Sequence, residues 1–362
     1  MNNATSSFHG SDLEKISAIY GIKKEDIVSF SANVNPLGAS KRALSLLKEH
    51  PEVISAYPDP AYTGLKSAIA NYTGADPEDI ILGNGVTELL KLALTALSPK
   101  HALLLGPTYS QYEEDLALLG SKVSHLLAVK ERDFGLTPED VTNALQEDTD
   151  LVILCNPNNP TSFAFHTEEI RSILTQLKER NIRLLIDETY VEFRMKEEDI
   201  SAVPLLSDFD NLFVLRGTSK FFATPGLRLG YALTKNRVIK DAAFSVTDTW
   251  NINAVASLVG AGMFADDEYI RAVRKTTEEE KNFLSSSVAS FPGYKVYPIH
   301  ANFMLVELPS RLRSPEVFDA LIRKGLMVRD CASFPSFGTH FIRICFMNHR
   351  DNERLATALG AL

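Results

Sequence analysis

An α/β fold, with a large, doubly wound, mostly parallel sheet and a smaller α+β part, is predicted by three features of this 362-residue chain. From about residue 76, short continuous apolar runs alternate with longer amphipathic ones, as buried strands and their covering helices do. Beyond about residue 245 the order changes to a long charged helical stretch, followed by a mixture of short strands and helices. Turn-forming residues also close one apolar run after another, at the strand ends where such sheets bind ligands.

Residues 1–40 read as an N-terminal arm that also gives a segment to the smaller part, 41–245 as the large part and 246–362 as the small one. In the arm, Ser11 and Glu14 form a capping box ahead of Leu13, Ile16 and Ile19, and Gly21 ends the helix. Strands of the large part are expected at 79–82, 102–105, 123–127, 151–155, 183–186, 212–215 and 229–233, with helices that include 87–97, 111–119 and 167–180. Runs that are apolar throughout need cover on both faces. The small part is expected to hold a helix over 266–290, strands near 295–297 and 302–308, a helix over 315–324, strands near 327–329 and 341–346, and a closing helix over 352–362.

The composition, 45% hydrophobic and 23% charged, is that of a globular protein, and no apolar run approaches the roughly 18 residues of a membrane helix. A net charge of -9 argues against general nucleic-acid binding, which needs clustered Lys and Arg. Residues 1–10 have neither the basic cluster nor the apolar core of a secretory signal, so a cytoplasmic protein is expected. Cys155, Cys331 and Cys345 show no metal-binding spacing and read as free buried thiols.

The strand ends carry the chemistry. In Ile81-Leu82-Gly83-Asn84-Gly85-Val86-Thr87, a glycine-flanked turn opens a helix, whose first backbone N–H groups are unpaired, and glycine lets a phosphate approach them closely. The spacing is neither GxGxxG nor GxxxxGK[ST], and a monophosphate suits it better than a nucleotide. Tyr109, after Gly106-Pro107-Thr108, reads as a ring that stacks on a flat heterocycle or as a core tyrosine. Asn159, in Asn156-Pro157-Asn158-Asn159-Pro160, reads as a hydrogen-bond donor to a ligand or as part of a sharp turn. Asp187, at the end of 183–186, either faces a cationic ring nitrogen or caps a turn.

The segment 214–231 places Ser219, Lys220 and Arg228 in fixed relation. A lysine amine forms a Schiff base with an aldehyde, and hydroxyl and guanidinium groups beside it hold a phosphate. The plainer alternative is a Lys and an Arg on solvated turns around a buried strand.

In this order and spacing the motifs resemble the fold-type I, aspartate-aminotransferase-like enzymes that use pyridoxal 5'-phosphate, over nearly the whole chain. The resemblance implies Lys220 as the lysine bonded to the cofactor aldehyde and Asp187 on the pyridine nitrogen. It puts Asn159 and Tyr190 near the phenolic oxygen and Tyr109 over the ring. Ser219, Arg228 and the backbone of Gly85 and Val86 are the implied phosphate cup. Tyr57 matches a tyrosine that reaches the phosphate from a second subunit, which implies a homodimer. One departure is Gly217, where many relatives carry Ser or Thr; Thr218 or backbone N–H groups are the expected substitute.

Within that family the chain is similar to two branches, the threonine-phosphate decarboxylases of cobalamin biosynthesis and the histidinol-phosphate aminotransferases. Segments 8–10, 30–38, 220–228 and 328–331 look like the first branch. Ala32 and Leu37 stand where the second more often has an acidic residue and an aromatic one, whereas His9-Gly10-Ser11 departs from the usual His-Gly-Gly. Arg343 matches the family arginine that pairs with the substrate carboxylate. Arg329, His9 and Asn33, with Asn159, are candidates around the substrate phosphate or carboxylate; either Arg also reads as a surface ion-pair residue.

The implied reaction is decarboxylation of O-phospho-L-threonine to aminopropanol phosphate, with O-phosphoserine as a second candidate substrate. Transamination is the alternative, because both reactions use the same pocket and differ in which Cα bond stands perpendicular to the ring. A ligand-sensing scaffold is a third reading. Regulators of that kind carry a DNA-binding module, for which this N-terminal arm is too short.

Overall fold

The computed structural model describes residues 12–196, 199–334 and 336–362. The chain starts with α1 (Leu13–Tyr20), whose cap is Asp12, accepting from the Lys15 N–H; Gly21, at φ +65°, ends it as expected. The expected capping box therefore gives way to a carboxylate one residue later, an equally good acceptor for the first turn. Ser11 itself lies outside the described residues. Next come β1 (Val28–Ser29), α2 (Lys41–Glu49) and α3 (Thr63–Thr73).

The large sheet takes its strands from the middle of the chain: β2 (Ile80–Gly83), β3 (His101–Gly106), β4 (Lys122–Leu127), β5 (Leu151–Cys155), β6 (Arg183–Asp187), β7 (Leu212–Gly217) and β8 (Gly230–Thr234). Between them lie α4 (Val86–Leu97), α5 (Gln111–Leu118), α6 (Pro138–Asn143) and α7 (Thr167–Glu179). The spatial order is β2-β8-β7-β6-β5-β3-β4. Strands β7, β6, β5, β3 and β4 run parallel, and β8 is antiparallel to both of its neighbours.

The connection over 218–229 holds no crossover helix, so β8 must return antiparallel beside β7. Every residue of β3, β5, β7 and β8 is buried, which is why those runs read as continuously apolar. Edge strand β4 instead exposes Lys122, a charge that discourages a further strand from pairing there.

The remaining elements are α8 (Arg237–Val246), α9 (Ala254–Phe264), α10 (Asp267–Ala289), β9 (Lys295–Val296), β10 (Phe303–Glu307), α11 (Ser314–Ile322), β11 (Leu326–Met327), β12 (Arg329–Asp330), β13 (Phe341–Cys345) and α12 (His349–Gly360). A second, antiparallel sheet has the order β12-β13-β10-β9, and β1 pairs with β11 in a parallel ribbon. The single strand expected near 327–329 is thus two, serving different partners on either side of Val328. One hydrophobic core runs through both sheets.

Candidate active site

Strand register brings the informative turns to one edge. Gly83 and Gly217 both pair with Gly230, Asp187 pairs with Leu215, and Cys155 pairs with Asp187. Across this edge runs the segment 31–35. Lys220 Nζ donates to the Ala32 carbonyl at 2.8 Å, and the Asn35 N–H donates to the Lys220 carbonyl at 3.1 Å. Asn33 Nδ2 donates to the Tyr190 hydroxyl at 3.3 Å, and Arg343 Nη2 donates to the Ser31 carbonyl at 2.7 Å. Asn33 sits at φ +56°, and its carbonyl accepts from Asn302 Nδ2 at 2.9 Å.

Burial, helped by the charge of Arg343, holds the Lys220 ammonium down at about 8. A neutral, nucleophilic amine is therefore accessible near physiological pH. Asp187 is buried at the end of β6, and burial pushes its carboxyl up. Three donors oppose that push: the Thr189 N–H at 2.9 Å, the Thr189 hydroxyl, and the Tyr112 hydroxyl at 2.6 Å. The Tyr112 phenol is itself driven up by burial, so it remains a proton donor to the carboxylate. Burial likewise raises the phenol of Tyr190, whose ring meets Phe303 edge-on at 5.0 Å.

Arg343, in β13, is only 5% exposed and lies 5.2 Å from the centre of the Phe303 ring. Its hydrogen bonds go to two neutral acceptors, Asn159 Oδ1 and the Ser31 carbonyl, and Nε has no partner. Arg329 stands directly opposite Arg343 in the β12–β13 register, which puts both side chains on one face of the sheet. Burial, and then the charge of Arg343, lowers the pKa of Arg329, whose Nη2 donates to Ser333 Oγ at 2.7 Å.

At the start of α4, Gly85 has φ +87°, and a Cβ there would stand 2.7 Å from Arg228 Nη2. The Arg228 guanidinium donates only long bonds, 3.3 Å each, to the carbonyls of Asn84 and Pro225. It lies at the end of the helix that favours anions. Ser219 is partly buried beside Lys220. Thr218 does not replace the hydroxyl absent at Gly217: its own hydroxyl and N–H both donate to the Leu229 carbonyl, at 3.0 and 3.2 Å.

Tyr109 meets Tyr112 edge-on at 5.7 Å and keeps 37% of its surface exposed. Tyr57 is 76% exposed and stacks on Trp250 at 4.3 Å, rather than on any residue of the cluster. His9 lies outside the described residues. The sequence reading missed Tyr112 and Thr189 and the carbonyls of Ser31 and Ala32. Only Tyr112 left a signal, as a second aromatic three residues after Tyr109.

Behind Asp187 lies another pair that the sequence did not announce. Glu188 and Arg216 are almost wholly buried and meet at 2.8 Å, and Ser201 Oγ bonds both of them. Burial pushes the Glu188 carboxyl up, and the charge of Arg216 leads the opposition to that push. The pair ties the end of β6, which carries Asp187, to the end of β7, which leads to Lys220. Arg216→Ala leaves the carboxylate buried without its cation and is expected to cost about 3–5 kcal/mol, measured by urea unfolding.

The model of the family Aminotransferase class I and II matches residues 25–359. The chain belongs to this family. It is an enzyme of fold type I, dependent on pyridoxal 5'-phosphate. It is 35% identical over 331 residues to a protein of Caldanaerobacter subterraneus named "Putative threonine-phosphate decarboxylase", spanning 91% of this chain and 89% of that one. It is 30% identical over 358 residues to the histidinol-phosphate aminotransferase of Methanothermobacter thermautotrophicus, spanning 98% and 93%. The crystal structure of the histidinol-phosphate aminotransferase from Clostridium acetobutylicum superposes with a TM-score of 0.85 at 28% identity, over 92% of this chain and 98% of that one.

Family, fold and cofactor agree with the reading of the sequence, while the names of relatives divide between the two reactions. The donor set fits the cofactor. A partly buried amine, a buried carboxylate held by three donors, and a guanidinium at a helix start lie at the ends of adjacent strands. Among the described residues, no helix is long and apolar enough to cross a membrane, and no group of His, Cys, Asp and Glu could hold a metal ion.

Proposed function

We propose that the enzyme decarboxylates a phosphorylated amino acid, O-phospho-L-threonine, releasing CO₂ and aminopropanol phosphate. The observation that carries this reading is the pair Arg329 and Arg343. Two guanidiniums face each other across one register position, and the buried one is met only by neutral acceptors. A substrate with both a carboxylate and a phosphate offers one anion to each guanidinium. Histidinol phosphate brings a phosphate and no carboxylate. Transamination is the second reading, favoured by the Methanothermobacter and Clostridium relatives.

When bound, pyridoxal 5'-phosphate supplies an aldehyde that condenses with amines and a ring that takes up the electron pair of a breaking bond. Lys220 offers the amine that would hold the cofactor. Asp187, fixed by Tyr112 and Thr189, offers a carboxylate that would pair with the cationic ring nitrogen. Asn159 and Tyr190 would bind the phenolic oxygen, and Tyr109 would stack on the ring. Arg228, Ser219 and the N–H groups of Gly85 and Val86 hold the cofactor phosphate.

Arg343 grips the substrate carboxylate by two N–H groups, while Arg329, with Asn33 and His9, takes the substrate phosphate. Fixing both ends of the substrate decides which Cα bond faces the ring. Once CO₂ has left, Lys220 is the group placed to return a proton to Cα. Tyr57, exposed in the single chain, completes the phosphate cup of a second copy in a homodimer.

The test offers O-phospho-L-threonine, O-phospho-L-serine, and histidinol phosphate with 2-oxoglutarate. Release of CO₂ from O-phospho-L-threonine with no keto acid present is the expected result. Glutamate formed from histidinol phosphate, with no CO₂ from either phosphoamino acid, would overturn the reading.

A further inference from the structure

Val86 and Gly217 meet where α4 starts. A Cβ at Gly217 would stand 2.7 Å from Val86 Cγ2, closer than carbon atoms approach without something shifting. Gly230, the register partner of Gly217, would set a Cβ 2.8 Å from the Gly85 carbonyl carbon and 2.9 Å from the Val86 nitrogen. The first turn of the helix therefore rests directly on a part of β7 and β8 that carries no side chains. The Val86 methyl fills the volume that a side chain at 217 would need.

That methyl cannot easily move aside. A valine in a helix has one strongly preferred χ1 rotamer, and Val86 also packs against the core. Thr218, the neighbouring hydroxyl, is already bonded to Leu229. What remains to meet an anion here is the Arg228 guanidinium beside Gly85, the partly buried Ser219, and the free N–H groups of the first turn of α4.

We propose that Val86 and Gly217 are a swapped pair that gives this enzyme a phosphate cup with one apolar wall. The side chain stands on the helix instead of on the strand, and the cofactor phosphate is held without a hydroxyl from position 217. This rests on the cofactor reading above. A strand hydroxyl is then out of reach of a single substitution. Gly217→Ser brings a donor together with a collision, Val86→Ala opens space without a donor, and only the two together supply a usable hydroxyl. One hydrogen bond to an anion is worth about tenfold in affinity.

The experiment strips the cofactor from purified holoenzymes and titrates them with pyridoxal 5'-phosphate, reading Kd from visible absorbance. Gly217→Ser is expected to weaken binding about tenfold, and the double variant V86A/G217S to bind more tightly than the wild type. Coupling between the two substitutions, taken as the ratio of the product of single effects to the double effect, is then about tenfold or more. Should Gly217→Ser alone fail to fold, the double variant is compared with Val86→Ala, and about tenfold tighter binding is expected. A Gly217→Ser protein that binds as well as the wild type, or a double variant no tighter than Val86→Ala, overturns the swapped pair. Arg228→Ala separates the two layers of inference. It weakens binding about tenfold if the phosphate lies in this cup, and no effect removes the cup reading itself, and the swapped pair with it.

Discussion

Lys220→Ala is expected to lower turnover by about 10³-fold or more, the scale of losing a positioned proton-transfer group together with the covalent tether. Its neighbours explain why this amine, and no other lysine, is suited to the work. Lys220 lies at the end of a buried strand, bonds the Ala32 carbonyl, and is held down at about 8 by burial and by Arg343. Borohydride reduction followed by intact mass is the direct readout: wild-type chain retains the cofactor and Lys220→Ala does not. The pH course carries a second signature. A lysine with a lowered pKa is cationic below that value and free above it, so cofactor attachment should rise through about pH 8 instead of near pH 10.5. A variant that still fixes cofactor on reduction would assign the role to another residue.

Asp187→Asn is expected to lower kcat by about 10²- to 10³-fold while the protein still binds cofactor, the range for removing one preorganised charge from a site. An amide keeps the shape and loses the charge that stabilises a cationic ring nitrogen. Tyr112 gives the same carboxylate a distinct, smaller dependence. Its hydroxyl is one of the groups keeping Asp187 ionised against burial, so Tyr112→Phe raises the Asp187 pKa. The sign follows from that. A carboxylate with a raised pKa is lost as pH falls through it, so activity in Tyr112→Phe should begin to fail at a higher pH on the acid side than in the wild type. Steady-state rates across pH check this, and an unchanged acid limb would show that Tyr112 only fills space.

The large sheet is legible in the sequence because its strands are buried on both faces and their helices are amphipathic, so the two periods separate cleanly. The strand-end turns were equally legible, since Asp187, Asn159 and Lys220 each follow an uninterrupted apolar run. What escaped was of three physical kinds. The carbonyls of Ser31 and Ala32 that organise Arg343 and Lys220 have no residue signature, because every residue has a carbonyl. Tyr112 occupies the first turn of α5, where a tyrosine reads as core, and its contact with Asp187 joins elements 75 residues apart. The complementarity of Val86 and Gly217 exists only in three dimensions, and along the chain it shows merely as a missing hydroxyl. The split of 327–329 between β11 and β12 has the same origin, since strand partners, not local pattern, decide it.

In the proposed reaction, two facing arginines orient a doubly anionic amino acid for loss of its carboxylate. The deciding measurement follows O-phospho-L-threonine labelled at the carboxyl carbon, with the enzyme saturated with cofactor and no keto acid present. One labelled CO₂ is expected for each substrate consumed, with the nitrogen retained in aminopropanol phosphate. Nitrogen passing to an added keto acid while the label stays in the organic product would contradict it.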